Sequence, residues 1–308
     1  APPYYLVSCM SGPYWPELSE YALPKDAPRS GVRIGTGLGK TPTWYVGDEW
    51  EWFEPIHEGD RIETIGGLYS IQELSQAKNV NDVGRTLEVI WEIVFTNQAE
   101  KTVGRMLYKQ WKRFKLQSAE KRDKYFSQSD PFYSDADLES IDDAYTNEEI
   151  RGDAPRYWEE VSVGDPIGPV VKGPLLIEDM VAWLIGNGSP ILMAHKLRHQ
   201  WLRTHAAIKR KNAYGVTEGL AASHWDYEAA KTWGLPRPTD FGPQRVGFLC
   251  HPITNWMGDT GFLKRLRSEI TGPCMVGDTT WCHGEISAKR IDLGEHVIDV
   301  NLWCQNQR

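Results

Sequence analysis

The chain has 308 residues, 41% hydrophobic and 25% charged, which suits a folded soluble protein of one large domain or two of about 150 residues. A net charge of −8 excludes a general nucleic-acid binder, which needs a basic face. Nothing approaches the roughly 18 consecutive apolar residues of a membrane span. Cys9, Cys250, Cys274, Cys282 and Cys304 are scattered without a C-x-x-C, so they point to neither a zinc site nor a disulfide framework. They read as free thiols in a reducing, cytoplasmic compartment.

In chain order, the opening "APPYYLVSCMSGPYW" lacks the basic start and apolar core of a secretory signal. The run "GVRIGTGLGK" (31–40) is glycine-rich but has no Walker ending and no G-x-G-x-x-G, so a mobile loop at a unit edge or active-site mouth is expected. Next come "FEPIHEGDRIETIGGLYSIQE" (53–73) and "RTLEVIWEIVFTNQ" (85–98). Leu87, Val89 and Trp91 alternate with outward residues, the period-2 pattern of a half-buried antiparallel strand. Far downstream "ITGPCMVGDTTWCHGEISAKR" (270–290) and "EHVIDVNLWCQNQ" (295–307) repeat the order: Pro, three residues, Gly-Asp, strand, polar turn, strand, Asn-Gln. Pro55, Gly59 and Asp60 thus correspond to Pro273, Gly277 and Asp278.

Between the copies, "SQSDPFYSDADLESIDDAYTNEEIRGDAP" is acid-rich with few aliphatics, a solvated and partly helical linker. Beyond it, Gly164-Asp165 marks a turn, "GPVVKGPL" a short strand and 178–185 a helix with Met180, Val181 and Leu184 on one face. A second, basic helix covers "ILMAHKLRHQWLRTHAAIKRK". A last helix starts after Phe241-Gly242, with Pro243 in its first turn; Pro252 is expected to kink or interrupt it. The expected division is 1–125, a linker over 126–155, and 156–308. The first half starts as though its opening strands and helix were absent, and the last strand of the second copy has no successor. Parts of the gene product missing at both ends, or uneven evolution of the halves, each account for this.

The order "EEVSVGD…GPLLIEDMVAWLIG…HWDYEAA…GLPRP…DFGPQRVGFL…GPCMVGDTTWCHGEI" resembles the MaoC-like, or R-specific enoyl-CoA hydratase, branch of the hot-dog fold. The resemblance covers about 157 to the end, and the repeat extends it to the first half. It implies an α+β double hot-dog, with curved antiparallel sheets each wrapped around a central helix and catalytic residues on a segment preceding that helix. It also implies addition of water to a 2-enoyl thioester or the reverse dehydration, with a CoA thioester as substrate and no other cofactor or metal. A homo-oligomer follows from the same likeness, while the net charge and the lack of a long apolar run argue against nucleic-acid and membrane partners.

The family pattern is D-x-x-x-x-H-x-D. His224 and Asp226 match its last two positions, whereas Gly219 stands at the first. His224 is the candidate water-activating residue, or else a helix-entry histidine. Asp226 orients its ring or, alternatively, caps the helix "YEAAKTWG". Glu218 is one step from the missing carboxylate and is a candidate substitute. Gly247 and Phe248 are the candidate oxyanion and substrate-binding positions, on the family's use of a backbone N–H near the helix start. Asp240, His251 and Asn255 are near the same elements. His195, His199 and the nearby His205 share a helical stretch but lack an H-E-x-x-H. Lys196, Arg198, Arg203, Lys209, Arg210 and Lys211 form a basic face or meet CoA phosphates. Two other functions fit the same chain: a non-catalytic acyl-CoA-binding subunit, and a thioesterase.

Overall fold

A computed structural model describes residues 2–10, 31–32, 41, 43–74, 85–113, 125–187, 194–204 and 209–307. The chain divides into two compact units that interleave in sequence. The first combines Ala1–Gln128, Ile177–Pro243 and Lys264–Pro273; the second combines Ser129–Leu176, Gln244–Leu263 and Cys274–Arg308. Segments 177–243 and 264–273, assigned by the sequence to the C-terminal half, group with the first unit.

The first unit is built on a six-stranded sheet of β1 (Gly31–Val32), β2 (Thr43–Trp52), β3 (Glu63–Glu73), β4 (Thr86–Thr96), β5 (Thr102–Arg113) and β9 (Arg265–Arg267). Their order is β1-β3-β4-β5-β2-β9, antiparallel apart from the β1–β3 pair. The alternation read from Leu87, Val89 and Trp91 continues through Ile93 and Phe95, all five buried on one face of β4. Each such side chain contributes about 1.5–3 kcal/mol on leaving water, which fixes the register of the whole hairpin. Trp50 stacks on Trp52 at 5.2 Å and on Phe95 at 5.5 Å, and Tyr4 meets Trp50 edge-on. The buried carboxylate of Asp48 accepts hydrogen bonds from Tyr4, Tyr45 and Ser268 hydroxyls at 3.2, 2.7 and 2.7 Å. Burial pushes Asp48 above the usual carboxylate value, and these donors oppose it.

The second unit holds β6 (Pro166–Lys172), β10 (Thr280–Asp292) and β11 (Glu295–Asn306) in the antiparallel order β11-β10-β6. Its core is Val161, Ile167, Ile286 and Ile253, the last from the central helix Gly242–Met257, with Trp256, Leu263, Ile298, Val300 and Leu302 packed around it. The helix runs through Pro252 without the expected interruption. Proline removes one N–H, but Pro252 and Ile253 are both buried, and that packing outweighs one lost hydrogen bond. The acidic linker carries a helix, Asp135–Thr146, opened by a reciprocal cap in which Ser134 and Asp137 exchange side-chain and backbone bonds.

The repeat read from the sequence is a repeated turn. Gly59 and Gly277 both have φ +89°, a left-handed conformation that a side chain disfavours. Asp60 then accepts the His57 N–H at 2.8 Å, and Asp278 accepts that of Met275 at 2.8 Å. Gly164, φ +92°, and Asp165 make the same turn, with Asp165 accepting the Ser162 N–H at 2.7 Å. The strand after each of the first two turns carries a register shift eight residues beyond its aspartate, between Leu68 and Ser70 in β3 and between Ile286 and Ala288 in β10.

Candidate active site

His224 ends a short turn of 3-10 helix, Leu220–His224, in the first unit. Its Nδ1 is 2.8 Å from the Thr239 carbonyl oxygen. A carbonyl only accepts, so Nδ1 carries the proton and Nε2 keeps its lone pair. The ring lies on Phe241 at 3.8 Å, and Phe241 stacks in turn on Trp183 at 5.7 Å. Burial pushes the imidazole below the ordinary histidine value, which the Thr239 carbonyl and the charge of Asp240 only partly offset. Burial thus favours the neutral ring, and the Thr239 carbonyl fixes the tautomer that leaves the Nε2 lone pair free of a proton. Beside it Gly242 opens the central helix, and any Cβ there would fall 2.0 Å from Tyr45 Cδ1, so glycine is what lets that ring lie against the helix start.

Asp226 sits elsewhere in the bonding. Its Oδ1 accepts the Ala229 N–H at 2.6 Å and caps the helix Tyr227–Thr232, with Arg210 Nη1 at 3.8 Å. The hydrogen bond that orients His224 goes to Thr239, a residue the sequence reading did not single out. Its only sequence signal was its position in "PTDFGP", just ahead of the helix. Residues 209–211, expected as the end of the basic helix, instead form a strand, β7 (Lys209–Lys211), held by antiparallel pairing with β8 (Thr217–Gly219); there Glu218 is opposite Arg210 and pairs with it at 3.3 Å, and Asn212 Nδ2 donates to Glu218 at 3.3 Å. That carboxylate is therefore committed to Arg210.

Gly247 and Phe248 fall at the sixth and seventh residues of the helix Gly242–Met257, in the portion grouped with the second unit. Orphan N–H groups occur only in a helix's first turn, so these two N–H groups belong to its internal ladder. His251 and Asn255 from the same helix both reach Glu148, at 2.9 and 2.8 Å. His195 and His199 lie on the helix His195–Thr204; His205 and residues 33–40 lie outside the described residues. Among the described residues no three side chains of metal-binding type gather, and no helix is long and apolar enough to cross a membrane.

Compared with solved structures, the chain is similar to a MaoC-like dehydratase with a TM-score of 0.56 and 15% identity, over 99% of this chain and 83% of that one. The chain has the hot-dog fold. A putative MaoC domain protein dehydratase from Chloroflexus aurantiacus is also similar, at a TM-score of 0.45 and 14% identity over 85% of this chain and 67% of that one. So is a conserved hypothetical protein from Mycobacterium tuberculosis with a double hotdog fold, at 0.47 and 12% over 86% and 69%. Neither a family model nor a curated protein matches the sequence. As a hot-dog protein it is α+β, and its central helix and antiparallel sheets agree with the architecture implied by the sequence resemblance.

Proposed function

We propose that this hot-dog protein adds water to a 2-enoyl thioester, or removes it from a 3-hydroxyacyl thioester, with His224 as its acid–base group. The observation that carries this reading is the Nδ1 contact of His224 with the Thr239 carbonyl, which leaves Nε2 as a base. The fold shared with a MaoC-like dehydratase supports the reaction class. In the forward direction Nε2 takes a proton from water as the oxygen bonds to the β-carbon. The imidazolium returns that proton to the α-carbon on the same face, giving net syn addition. Asp240, buried beside the ring, steadies the positive charge in between. The acyl thioester is bound as a CoA ester.

One observation favours a second reading. Asp226 caps a helix, Glu218 pairs with Arg210, and Gly219 occupies the carboxylate position of the pattern. A chain without that second carboxylate fits an acyl-CoA-binding subunit whose chemistry is supplied by a partner.

The deciding experiment follows the loss of conjugated-thioester absorbance for a panel of short trans-2-enoyl-CoA esters. Turnover by the wild type and a drop of about 100-fold or more in His224→Ala establish the hydratase. Binding of CoA esters without turnover establishes the second reading. Free CoA as the product would instead indicate a thioesterase.

A further inference from the structure

A second set of chemically active side chains lies wholly within the other unit. Lys172, the last residue of β6, directs its Nζ to Nδ1 of His251 at hydrogen-bonding range. On the far side of that ring, Nε2 is 2.9 Å from Glu148 Oε1. Glu148 follows the capped helix of the acidic linker, and Asn255 Nδ2, one turn beyond His251, donates to the same oxygen at 2.8 Å. The donor directions are consistent along the line. A carboxylate only accepts, so Nε2 carries the proton of the neutral ring, and Nδ1 presents its lone pair to the lysine.

This is the order of a nucleophile, a base and a carboxylate that orients the base, with an amine in the nucleophile's place. Lys172 is half-buried, and the His251 side chain beside it is 34% exposed while Glu148 is only 14% exposed. Burial pushes Lys172 below the ordinary lysine value. Burial, followed by the neighbouring ammonium, also pushes His251 below its own. The nearby Cys282 does not compete, because the adjoining Cys304 thiol and burial push it far above the ordinary thiol value.

We propose that Lys172, His251 and Glu148 form a second reactive centre in which the Lys172 amine accepts an acyl group from a thioester. The choice of thioester donor rests on the function proposed above; the nucleophile does not. The ammonium first gives up one proton through His251 to solvent. The Nζ lone pair then attacks the thioester carbonyl carbon, an N–C bond forms, and His251 Nδ1 takes the proton that nitrogen sheds. Glu148 balances the imidazolium. Collapse breaks the C–S bond, and the thiolate leaves with the proton from His251 as free thiol. The product is an amide on Lys172, one acyl group per chain.

The test incubates the full chain with acetyl-CoA and, separately, with p-nitrophenyl acetate, and quantifies acetyl-lysines by peptide mass spectrometry. Lys101 and Lys231, on the surface, act as internal standards in the same sample. The expected result is Lys172 acetylation about 100-fold faster than either standard from both donors, with one thiol released per chain from acetyl-CoA. His251→Ala and Glu148→Gln reduce it to the level of the standards, whose own rates stay constant. Labelling of wild-type Lys172 no faster than Lys101 overturns the proposal without recourse to any variant. Selective labelling indifferent to His251→Ala overturns the relay, and labelling by the nitrophenyl ester alone overturns the thioester donor. His224→Ala leaves Lys172 acetylation unchanged, so failure of the hydratase reading is seen separately in the hydration assay.

Discussion

The backbone N–H of Thr279 donates to Oε1 of Gln307 at 3.0 Å, and the backbone N–H of Arg61 donates to Oε1 of Gln98 at 2.9 Å. In each copy the residue after the turn aspartate is therefore tied to the glutamine that ends the following hairpin. The Asn-Gln at the end of each repeated segment closes the loop that its Gly-Asp opens.

The two copies differ in what the aspartate protects. Asp278 is fully buried and also accepts from Asn306 Nδ2 at 3.3 Å, whereas the Asp60 side chain is 13% exposed and accepts from Gln98 Nε2 at 2.8 Å. Removing a carboxylate that satisfies buried donors leaves them desolvated and unpaired. Asp278→Ala is expected to cost about 1–3 kcal/mol, and Asp60→Ala distinctly less. Urea unfolding followed by tryptophan fluorescence ranks the two; an equal loss would place the importance of the motif outside burial.

Asp226 separates capping from catalysis. If its role is the bond to the Ala229 N–H, Asp226→Ala loses about 1 kcal/mol of stability, and Asp226→Ser restores most of it. Hydration activity then stays within about threefold of wild type in both, against the 100-fold range of a general acid–base group. A large activity loss in Asp226→Ser with stability retained would restore it to the catalytic set.

The pH dependence follows from the direction of the His224 shift. Burial favours the neutral ring, so the folded pKa lies below the unfolded value of about 6.5. The sign is that of a depressed group: its contribution to stability is complete above about pH 6.5 and is lost as pH falls from there through the folded value. The His251 shift acts in the same direction. In the proposed reaction kcat/KM should rise with pH along one limb centred below about 6.5 and be level at neutrality. Melting temperatures of wild type and His224→Gln across pH 5–8 check the stability half: the variant should lose less on acidification.

Glycine replacements test two close approaches in the first unit. A Cβ on Gly47 would lie 2.1 Å from the Ser268 carbonyl oxygen, at a φ of +137°. One on Gly104 would lie 2.6 Å from Leu6 Cδ1, the movable end of a side chain. Gly47→Ala is expected to cost about 3 kcal/mol or more, combining strain with a backbone clash, and Gly104→Ala about 1–2 kcal/mol. Calorimetric melting of the two variants, with Gly67→Ala as an open-space control, gives the order directly.

Much of the local structure was within reach of the sequence because its signals are local. Period-2 alternation in β4, the Gly-Asp turns, the helix after Phe241-Gly242 and the cap at Asp226 each depend on neighbours a few residues apart, where backbone geometry and side-chain chemistry act directly. His224 was legible for the same reason, as one position of a short pattern.

What holds His224 was not. Thr239, 15 residues on, supplies its carbonyl, and any residue type could have supplied one. The same limit hid the Lys172–His251–Glu148 line. Lys172 is 79 residues from His251, and Asn255 is 107 from Glu148. Glu148 was one acid in an acid-rich run, and Lys172 was one residue inside the short strand "GPVVKGPL". The sequence by itself determined the alternating strands, the Gly-Asp turns and the helix after Phe241-Gly242, because those follow from periodicity and torsional preference. Only the tertiary structure decided which carboxylates were spent on caps and ribbons and which imidazoles kept a lone pair. Hydrogen bonds saturate, and the partner that claims each group comes from a distant part of the chain.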